Sequence, residues 1–479
     1  MKQINFKNIG ATKAKYIFPV IMMIVLCVGK ANSQIMPAIQ KTVLLEKDKF
    51  TLNQHLSEYA AFTVDKKEII NKLNSNGTSQ FRLRINEQMD WTIDLQLNDM
   101  RAPDYKQTYI SDEGKFEYES HSVNTFKGTT SSGQIARFTI DENNFFGVIL
   151  DNQYHYVIRS AKDYTKNNSD ESLIVYKSSD VIFENETFDY IHDALIIPDD
   201  GENGNVEKSV IRNSTAYTPC TYYLKIATDA DYVVYQVNGL ANTYSYVFSI
   251  LNIVEGFYES TFNLKFIITY QNVWTTTSNG YPYTITNNCS DLLNQFRNYW
   301  NSNMTGVSRN IAHLFSGSTW ACAWPGQINT SLAYGLSMVW PITYKTVTHE
   351  IGHNLNALDA NLMTPVPPEC LCRDDFRSIM CQGYNQSSNL WFCQTSINQI
   401  TPFLASKSAL LTGNFPNNLT LTGTVNGFNS YQATQKITSN QVINSGYTVY
   451  KAAEVELGNN FEVKLGAEFE IIIDDNGCP

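Results

Sequence analysis

The residues best suited to chemistry lie in residues 347–359, which read VTHEIGHNLNALD. His349 and His353 are four positions apart, which on a helix places two imidazoles on one face, one turn apart, within reach of one metal ion. Glu350 follows the first histidine and can face the same ion without binding it. The pattern therefore predicts a metal site with a carboxylate beside it.

The neighbouring residues indicate how such a site would be positioned. Val347, Ile351 and Leu355 form an apolar stripe, which is typical of a buried helix. Asn356 tolerates the left-handed conformation that ends a helix. Asp359 follows that turn and is placed to return a third ligand. Glu369 is the alternative third ligand, but it lies in PVPPEC, whose prolines exclude a helix, and no histidine follows the second of the pair.

The whole pattern resembles the signature of the metzincin zinc peptidases. Their usual turn residue is Gly and their usual last ligand is His, where this chain has Asn356 and Asp359. A second motif agrees, because Met380 in RSIM is similar to the methionine turn beneath the zinc of metzincins. This motif is followed by Cys381, and the reprolysin-like (adamalysin-like) peptidases are the most similar group.

The resemblance implies a mechanism and a substrate-binding strand. One catalytic Zn²⁺ would be held by His349, His353 and Asp359, with Glu350 as the general base. Binding of Ca²⁺ is possible, but no motif indicates it. The edge strand that binds substrate by backbone hydrogen bonds would lie just before the active-site helix. Its residues would be Thr319, Trp320, Ala321, Cys322, Ala323 and Trp324, with an ordinary edge strand as the alternative.

Length and composition suggest several extracellular domains. The 479 residues suggest about two to four domains, and the composition, 43% hydrophobic and 17% charged, is that of globular protein. The net charge of −11 argues against a nucleic-acid partner. Residues 1–33 combine lysines, a short apolar run and a small-residue cleavage site, which predicts a signal peptide, secretion and no membrane anchor.

Residues 34–213 are expected to form a β-rich propeptide. They alternate apolar and polar residues and contain no cysteine, so a cysteine switch cannot cap the zinc. Asp189, His192 and Asp193 are alternative caps, although each is individually better explained as a surface residue. A polar linker at residues 198–219 ends the segment, and Arg212 in it is a candidate processing position.

Residues 214–402 are expected to form the peptidase domain and residues 403–479 a small all-β segment. Strand and helix patterns alternate between residues 222 and 315, with His313 in a strand read as a core or surface residue. The implied fold class is α+β, close to α/β, with a mixed five-stranded sheet and an active-site helix. The last segment resembles carboxy-terminal β-segments of secreted Bacteroidetes-type proteins, and its role is open between surface binding, sorting and stabilisation.

Cysteine usage fits an oxidising compartment. Eight cysteines follow the predicted signal peptide, so disulfides are expected. The set clustered around the methionine turn is Cys370, Cys372, Cys381 and Cys393, and the others are Cys220, Cys289, Cys322 and Cys478. Three pairings of the cluster stay open, and a second zinc site is a weaker alternative.

Three functions follow from different readings of these motifs. The preferred one is a secreted zinc endopeptidase made as a zymogen, which acts on extracellular proteins. The second is a catalytically silent binding protein that retains the fold, and Glu350 argues against it because a structural metal site has no use for that carboxylate. The third is an adhesion protein whose function lies in the carboxy-terminal segment. The oligomeric state is open.

Overall fold

The computed structural model describes residues 3–6, 40–41, 44–76, 78–84, 90–119, 124–142, 144–151, 155–165, 172–182, 221–278, 280–284, 288–339, 343–360, 363, 370, 377–381, 390–411, 417–426 and 429–473. Within these residues the architecture mixes helices and sheets, as the sequence predicts. No helix in the described part combines the length and apolar character that crossing a bilayer requires.

The N-terminal segment is built around a nine-stranded antiparallel sheet. Its elements are β1 (Gln3–Phe6), β2 (Gln40–Lys41), α1 (Glu46–His55), β3 (Ala60–Thr63), α2 (Lys66–Asn76), β4 (Thr78–Arg84), β5 (Asp90–Leu97), β6 (Arg101–Ser111), β7 (Gly114–Tyr118), β8 (Thr125–Thr130), β9 (Ile135–Ile140), β10 (Phe145–Leu150), β11 (His155–Ser160) and β12 (Ser172–Lys177). The strand order is β2-β3-β12-β11-β10-β9-β8-β5-β4. The apolar side of this sheet includes Phe62, Ile93 and Phe138, with Ile69 and Leu73 of α2 in the same core.

The next segment carries the helices that the sequence predicts. Its elements are β13 (Tyr222–Ala230), α3 (Tyr232–Asn238), α4 (Leu240–Phe262), β14 (Leu264–Trp274), α5 (Cys289–Asn303), β15 (Ile311–Ser316), β16 (Cys322–Ala323), β17 (Tyr334–Met338), α6 (Thr343–Asn354), β18 (Arg377–Ser378), β19 (Leu390–Trp391) and α7 (Gln394–Ser406). Helix α7 crosses residue 402, where the sequence analysis ends the peptidase domain.

The sheet of this segment has seven strands, in the order β16-β17-β15-β13-β14-β6-β7. Five come from the segment itself, and the N-terminal segment adds the hairpin β6–β7, so the sheet is larger than the five strands expected. Strands β17, β15, β13, β14 and β6 are parallel, and β16 and β7 are antiparallel at the two edges. The hairpin covers β14, in which only Lys265 is not buried.

The carboxy-terminal segment is a small parallel β-solenoid. Its strands are β20 (Asn418–Leu421), β21 (Thr424–Val425), β22 (Asn429–Gln432), β23 (Lys436–Ser439), β24 (Val442–Ile443), β25 (Tyr447–Ala452), β26 (Glu454–Leu457), β27 (Glu462–Val463) and β28 (Glu468–Ile473). Three faces stack in the orders β20-β23-β26, β21-β24-β27 and β22-β25-β28. Strand β1, from the predicted signal peptide, pairs antiparallel with β28.

Candidate metal centre

Helix α6 presents the histidine motif from the interior of the molecule. All of its residues from Thr343 to Asn354 are buried. Val347 and Ile351 lie in the same apolar core as Val254 and Phe257 of α4, so the predicted apolar stripe packs as the pattern indicates. Leu355 continues this stripe beyond the helix end. The whole helix is therefore enclosed, and its two histidines lie in the interior.

His349, His353 and Asp359 place three ligand atoms around one point. The two Nε2 atoms are 3.0 Å apart. Asp359 Oδ1 lies 3.2 Å from Nε2 of His349 and 3.4 Å from Nε2 of His353. Donors about 2.0–2.1 Å from Zn²⁺ in a tetrahedron are about 3.3 Å from one another. The triangle therefore has the size that three ligands of a tetrahedral zinc ion require.

Backbone carbonyls fix the orientation of both rings. Nδ1 of His349 donates to the Ile379 carbonyl at 2.7 Å, and Nδ1 of His353 donates to the Ala357 carbonyl at 2.8 Å. Because each ring carries its proton on Nδ1, each Nε2 offers a lone pair to the centre of the triangle. Such outer contacts hold the tautomer and ring angle of metal-binding histidines.

The turn after α6 delivers the carboxylate. Asn356 has a φ of 75°, the left-handed conformation that the sequence predicts for it. The Ala357 N–H donates to the Gly352 carbonyl at 2.9 Å and closes the helix end. Asp359 is fully buried, and neither of its carboxylate oxygens accepts a hydrogen bond from a described residue. A buried carboxylate against two imidazoles is costly unless a cation joins them, so the donor set fits a metal.

Met380, the residue of the predicted methionine turn, packs against helix α6. It is fully buried, and its carbonyl accepts a hydrogen bond from the Ala360 N–H at 2.6 Å. A Cβ on Gly352 would stand 2.5 Å from the Met380 sulfur, so the helix approaches this side chain closely only because residue 352 is glycine. The Cys370–Cys393 disulfide ties the surrounding chain, and Cys381 is also disulfide-bonded.

Glu350 is buried in the same helical turn as His349. Tyr258 of α4 lies near it: burial raises the pKa of Tyr258 well above its usual value, and the charge of Glu350 raises it further. The Tyr258 hydroxyl donates to the Thr348 carbonyl at 2.6 Å, which anchors the backbone next to both residues of the motif.

The predicted substrate strand lies at the sheet edge next to α6. Strand β16 pairs antiparallel with β17, and the Cys289–Cys322 disulfide ties it to α5. The Asn354 amide donates to the carbonyls of Trp324 and Tyr334, at 3.1 and 3.0 Å. Thr319 and Trp320 precede the strand, and Ala321, Cys322, Ala323 and Trp324 are buried, although the resemblance implies an exposed edge.

The site is closed to solvent in this structure. His349 is 1% exposed, and Glu350, His353 and Asp359 are 0% exposed. The ligand triangle and Glu350 therefore lie in the interior of the molecule.

Sequence reasoning missed several residues that shape the centre. Asn354 contacts the edge strand, Gly352 contacts Met380, and Tyr258 contacts the backbone of the motif. The only sequence signal for any of them is that Asn354 and Gly352 lie inside the motif. His313 is a core residue, with Nε2 3.0 Å from Ser337 Oγ. The remaining predicted residues lie outside the described part of the chain: Asp189, His192, Asp193, Arg212, Cys220, Glu369, Cys372 and Cys478.

The chain is similar in sequence to known metallopeptidases. Residues 218–392 match the reprolysin-type model of metallo-peptidase family M12. A disintegrin and metalloproteinase domain-containing protein 22 from Xenopus laevis is 22% identical over 236 residues, which cover 47% of this chain and 25% of the relative. The chain thus spans about a quarter of that relative's length. The solved structure of metalloproteinase-II from Bacteroides fragilis aligns with 71% of this chain and 95% of its own, at 10% identity and a TM-score of 0.39.

Proposed function

We propose that residues 218–392, which match a model of metallo-peptidase family M12, form a reprolysin-like metzincin domain, and that the chain is a secreted zinc endopeptidase made as a zymogen. The observation that carries the proposal is the triangle of two imidazole nitrogens and one carboxylate oxygen, 3.0–3.4 Å apart, with Glu350 in the same helical turn. Its substrates would be extracellular proteins.

The ligands of the ion would be His349, His353 and Asp359. A zinc ion held there would supply Lewis acidity, which would lower the pKa of a bound water to about 7 and polarise the scissile carbonyl. Glu350 takes the proton of the attacking water and passes it to the leaving amine. The edge strand next to α6, which is buried in this structure, would hold the substrate backbone in extended form once it is exposed.

The buried site supports the zymogen part of the proposal. The ligands and the base have 1% exposure or less, which is what a site covered before processing would show. The predicted processing position at Arg212 lies between the N-terminal segment and the peptidase domain. Cleavage there would be the step that opens the site.

The test is zinc stoichiometry together with casein or gelatin cleavage by processed protein. We expect one zinc per chain in both the wild type and Glu350→Ala, with cleavage by the wild type alone. Glu255→Gln is the matched control, since Glu255 is a buried carboxylate of α4 that bonds Phe266 N and Asn98 instead of facing the triangle. We expect it to retain cleavage.

Each failure has a separate meaning. Cleavage by Glu350→Ala at the wild-type rate would refute the general-base role. Zinc without cleavage in processed wild type would favour the silent binding protein. Folded protein that takes up no zinc would refute the metal site itself.

A further inference from the structure

The N-terminal segment and the peptidase domain share one continuous sheet. Strand β6 runs parallel to β14, with Ile268 opposite Arg101 and Trp274 opposite Ile110. The Ile268 N–H donates to the Met100 carbonyl at 2.6 Å, and the Thr275 N–H donates to the Ile110 carbonyl at 2.9 Å. Removing the N-terminal segment would leave the edge of a buried strand without these partners, which is both costly and prone to aggregation.

Side-chain hydrogen bonds reinforce this pairing. Thr108 of β6 donates from Oγ1 to Asn272 Oδ1 at 2.8 Å, and its carbonyl accepts the Tyr244 hydroxyl of α4 at 2.6 Å. Both Thr108 and Asn272 are buried. These groups would lose their partners in a separated peptidase domain, and unsatisfied buried polar groups are costly.

Helix α4 is buried from both sides. One side packs on β14, and the other packs on β8 and β9 of the nine-stranded sheet. The Asn252 amide donates to the carbonyls of Phe126 and Phe138, at 3.1 and 3.0 Å, and its oxygen accepts from Asn98 at 2.9 Å. Asn252 is fully buried, so a polar residue in the middle of this helix is satisfied only by the N-terminal segment and its β5–β6 connection.

An apolar core spans the same contact. It contains residues of both parts: Val148, Leu150, Val157 and Tyr176 from the N-terminal segment, and Ile250, Val254, Phe257 and Tyr344 from the peptidase domain. A helix on a domain surface has one apolar face and one polar face. Helix α4 instead has buried residues on all of its sides. The two parts therefore fold around one core.

Ion pairs join the two parts at the end of α4. Glu259 at the end of α4 lies 2.8 Å from Lys127 Nζ and 2.6 Å from Arg137 Nη2, both on the nine-stranded sheet. Burial alone would raise the pKa of Glu259, but these cations and Lys265 lower it to about 2. The carboxylate stays ionised because the N-terminal segment neutralises it.

We propose that the N-terminal segment, residues 44–182, stays bound to the peptidase domain after the connector is cleaved, so that the processed enzyme is a noncovalent complex of two fragments. The segment is then a permanent part of the enzyme. The proposal rests on the proposed function for its cleavage step, but the association of the fragments can be measured without any peptidase activity.

The experiment uses the full chain with Glu350→Ala, which stops self-digestion. A recognition sequence for a site-specific protease is inserted after Arg212, the chain is cut completely, and the product is run on size exclusion with light scattering. We expect both fragments to co-elute at the 54.3 kDa of the uncut chain, less any residues removed at the N-terminus. Separation of the fragments in native buffer would overturn the proposal and leave the zinc peptidase untouched.

A matched pair of tyrosine variants locates the contact. Tyr244 and Tyr258 both lie on α4 and both donate to a backbone carbonyl at 2.6 Å, Tyr244 to Thr108 across the contact and Tyr258 to Thr348 within the peptidase domain. In the cut protein, Tyr244→Phe should weaken fragment association about tenfold, measured by dilution, and Tyr258→Phe should weaken it much less. Equal weakening by both variants would contradict this interface.

Discussion

His155 gives the structure a measurable pH dependence. Its ring is fully buried where the N-terminal segment meets residues 221–411, 5.2 Å from the Phe257 ring and 6.2 Å from the Trp391 ring. Neither ring nitrogen has a hydrogen-bond partner among the described residues. Burial, with a smaller effect of the Lys345 charge, lowers the pKa of His155 to about 3. We predict that His155→Leu flattens the dependence of stability on acid.

The sign and size follow from proton linkage. An unfolded chain protonates this histidine near pH 6.5, whereas the folded chain does so only near pH 3, so acid favours unfolding between the two. The free energy of unfolding falls by about 1.4 kcal/mol per pH unit, or about 2 kcal/mol at about pH 5. This contribution is absent above pH 6.5 and grows as the pH falls.

Asp229 acts in the opposite direction. It is fully buried, and burial raises its pKa to about 6 even though Tyr283, Trp300 and Asn272 donate hydrogen bonds to it. The folded chain therefore gains a proton before the unfolded chain does, which adds about 1.4 kcal/mol of stability between about pH 6 and about pH 5. The pH dependence of the wild-type free energy of unfolding therefore combines both effects. The difference in this free energy between His155→Leu and wild type isolates the effect of the histidine.

The assay is urea unfolding with the disulfides intact and zinc held equal, at about pH 7.5 and about pH 5. The free-energy difference between His155→Leu and wild type should shift by about 2 kcal/mol in favour of the variant at the lower pH. His313→Leu should show the same shift, because burial lowers the pKa of His313 to about 3 as well. Asp229→Asn should shift the other way. A difference for His155→Leu that is equal at both pH values would refute the reasoning.

Three further variants test the metal centre in processed protein. Asn354→Ala removes the donor to the Trp324 carbonyl, so we expect KM for a peptide to rise severalfold while the zinc content stays at that of the wild type. We also expect its stability to fall by about 1–3 kcal/mol. The control is Asn310→Ala, which removes another buried bridging amide and should lower stability without the change in KM. Gly352→Ala should destabilise by about 1–2 kcal/mol in urea unfolding, because its Cβ meets the methionine sulfur 2.5 Å away and helix propensity offsets only part of that cost. Asp359→His should still bind zinc by elemental analysis, and a folded variant without metal would contradict the ligand role.

The local elements of residues 221–411 could be predicted from sequence because their patterns are strong. Helix α4 shows apolar residues at helical spacing over its 23 residues, and β14 is an apolar run. The left-handed turn at Asn356 could be predicted because asparagine tolerates a positive φ. The helix α3, by contrast, is only seven residues long, too short to show a clear helical period, and its N-cap Asp231 accepts from Val234 N only once the chain is folded.

Long-range pairings left no such local signal. Thr108 and Asn272 are 164 residues apart, and nothing in either strand names the other as a partner. The solenoid was missed for a related reason: Asn418, Lys436 and Glu454 occupy one register position in successive turns but share no chemistry. Burial of the edge strand was equally hidden, because alternation reports one face of a strand and not what covers its edge.

The metal centre depends on this tertiary structure more than the short motif suggests. A helix of twelve residues is marginal alone in water, and α6 is held by separate elements. The Ile379 carbonyl orients His349, the carbonyl of Ala357 orients His353, and Tyr258 of α4 anchors the Thr348 carbonyl. Because α4 is itself packed against the N-terminal sheet, the ligand triangle rests on residues from both parts of the chain. The same argument explains why loss of the N-terminal segment should weaken the zinc site even though the segment supplies none of the three ligands.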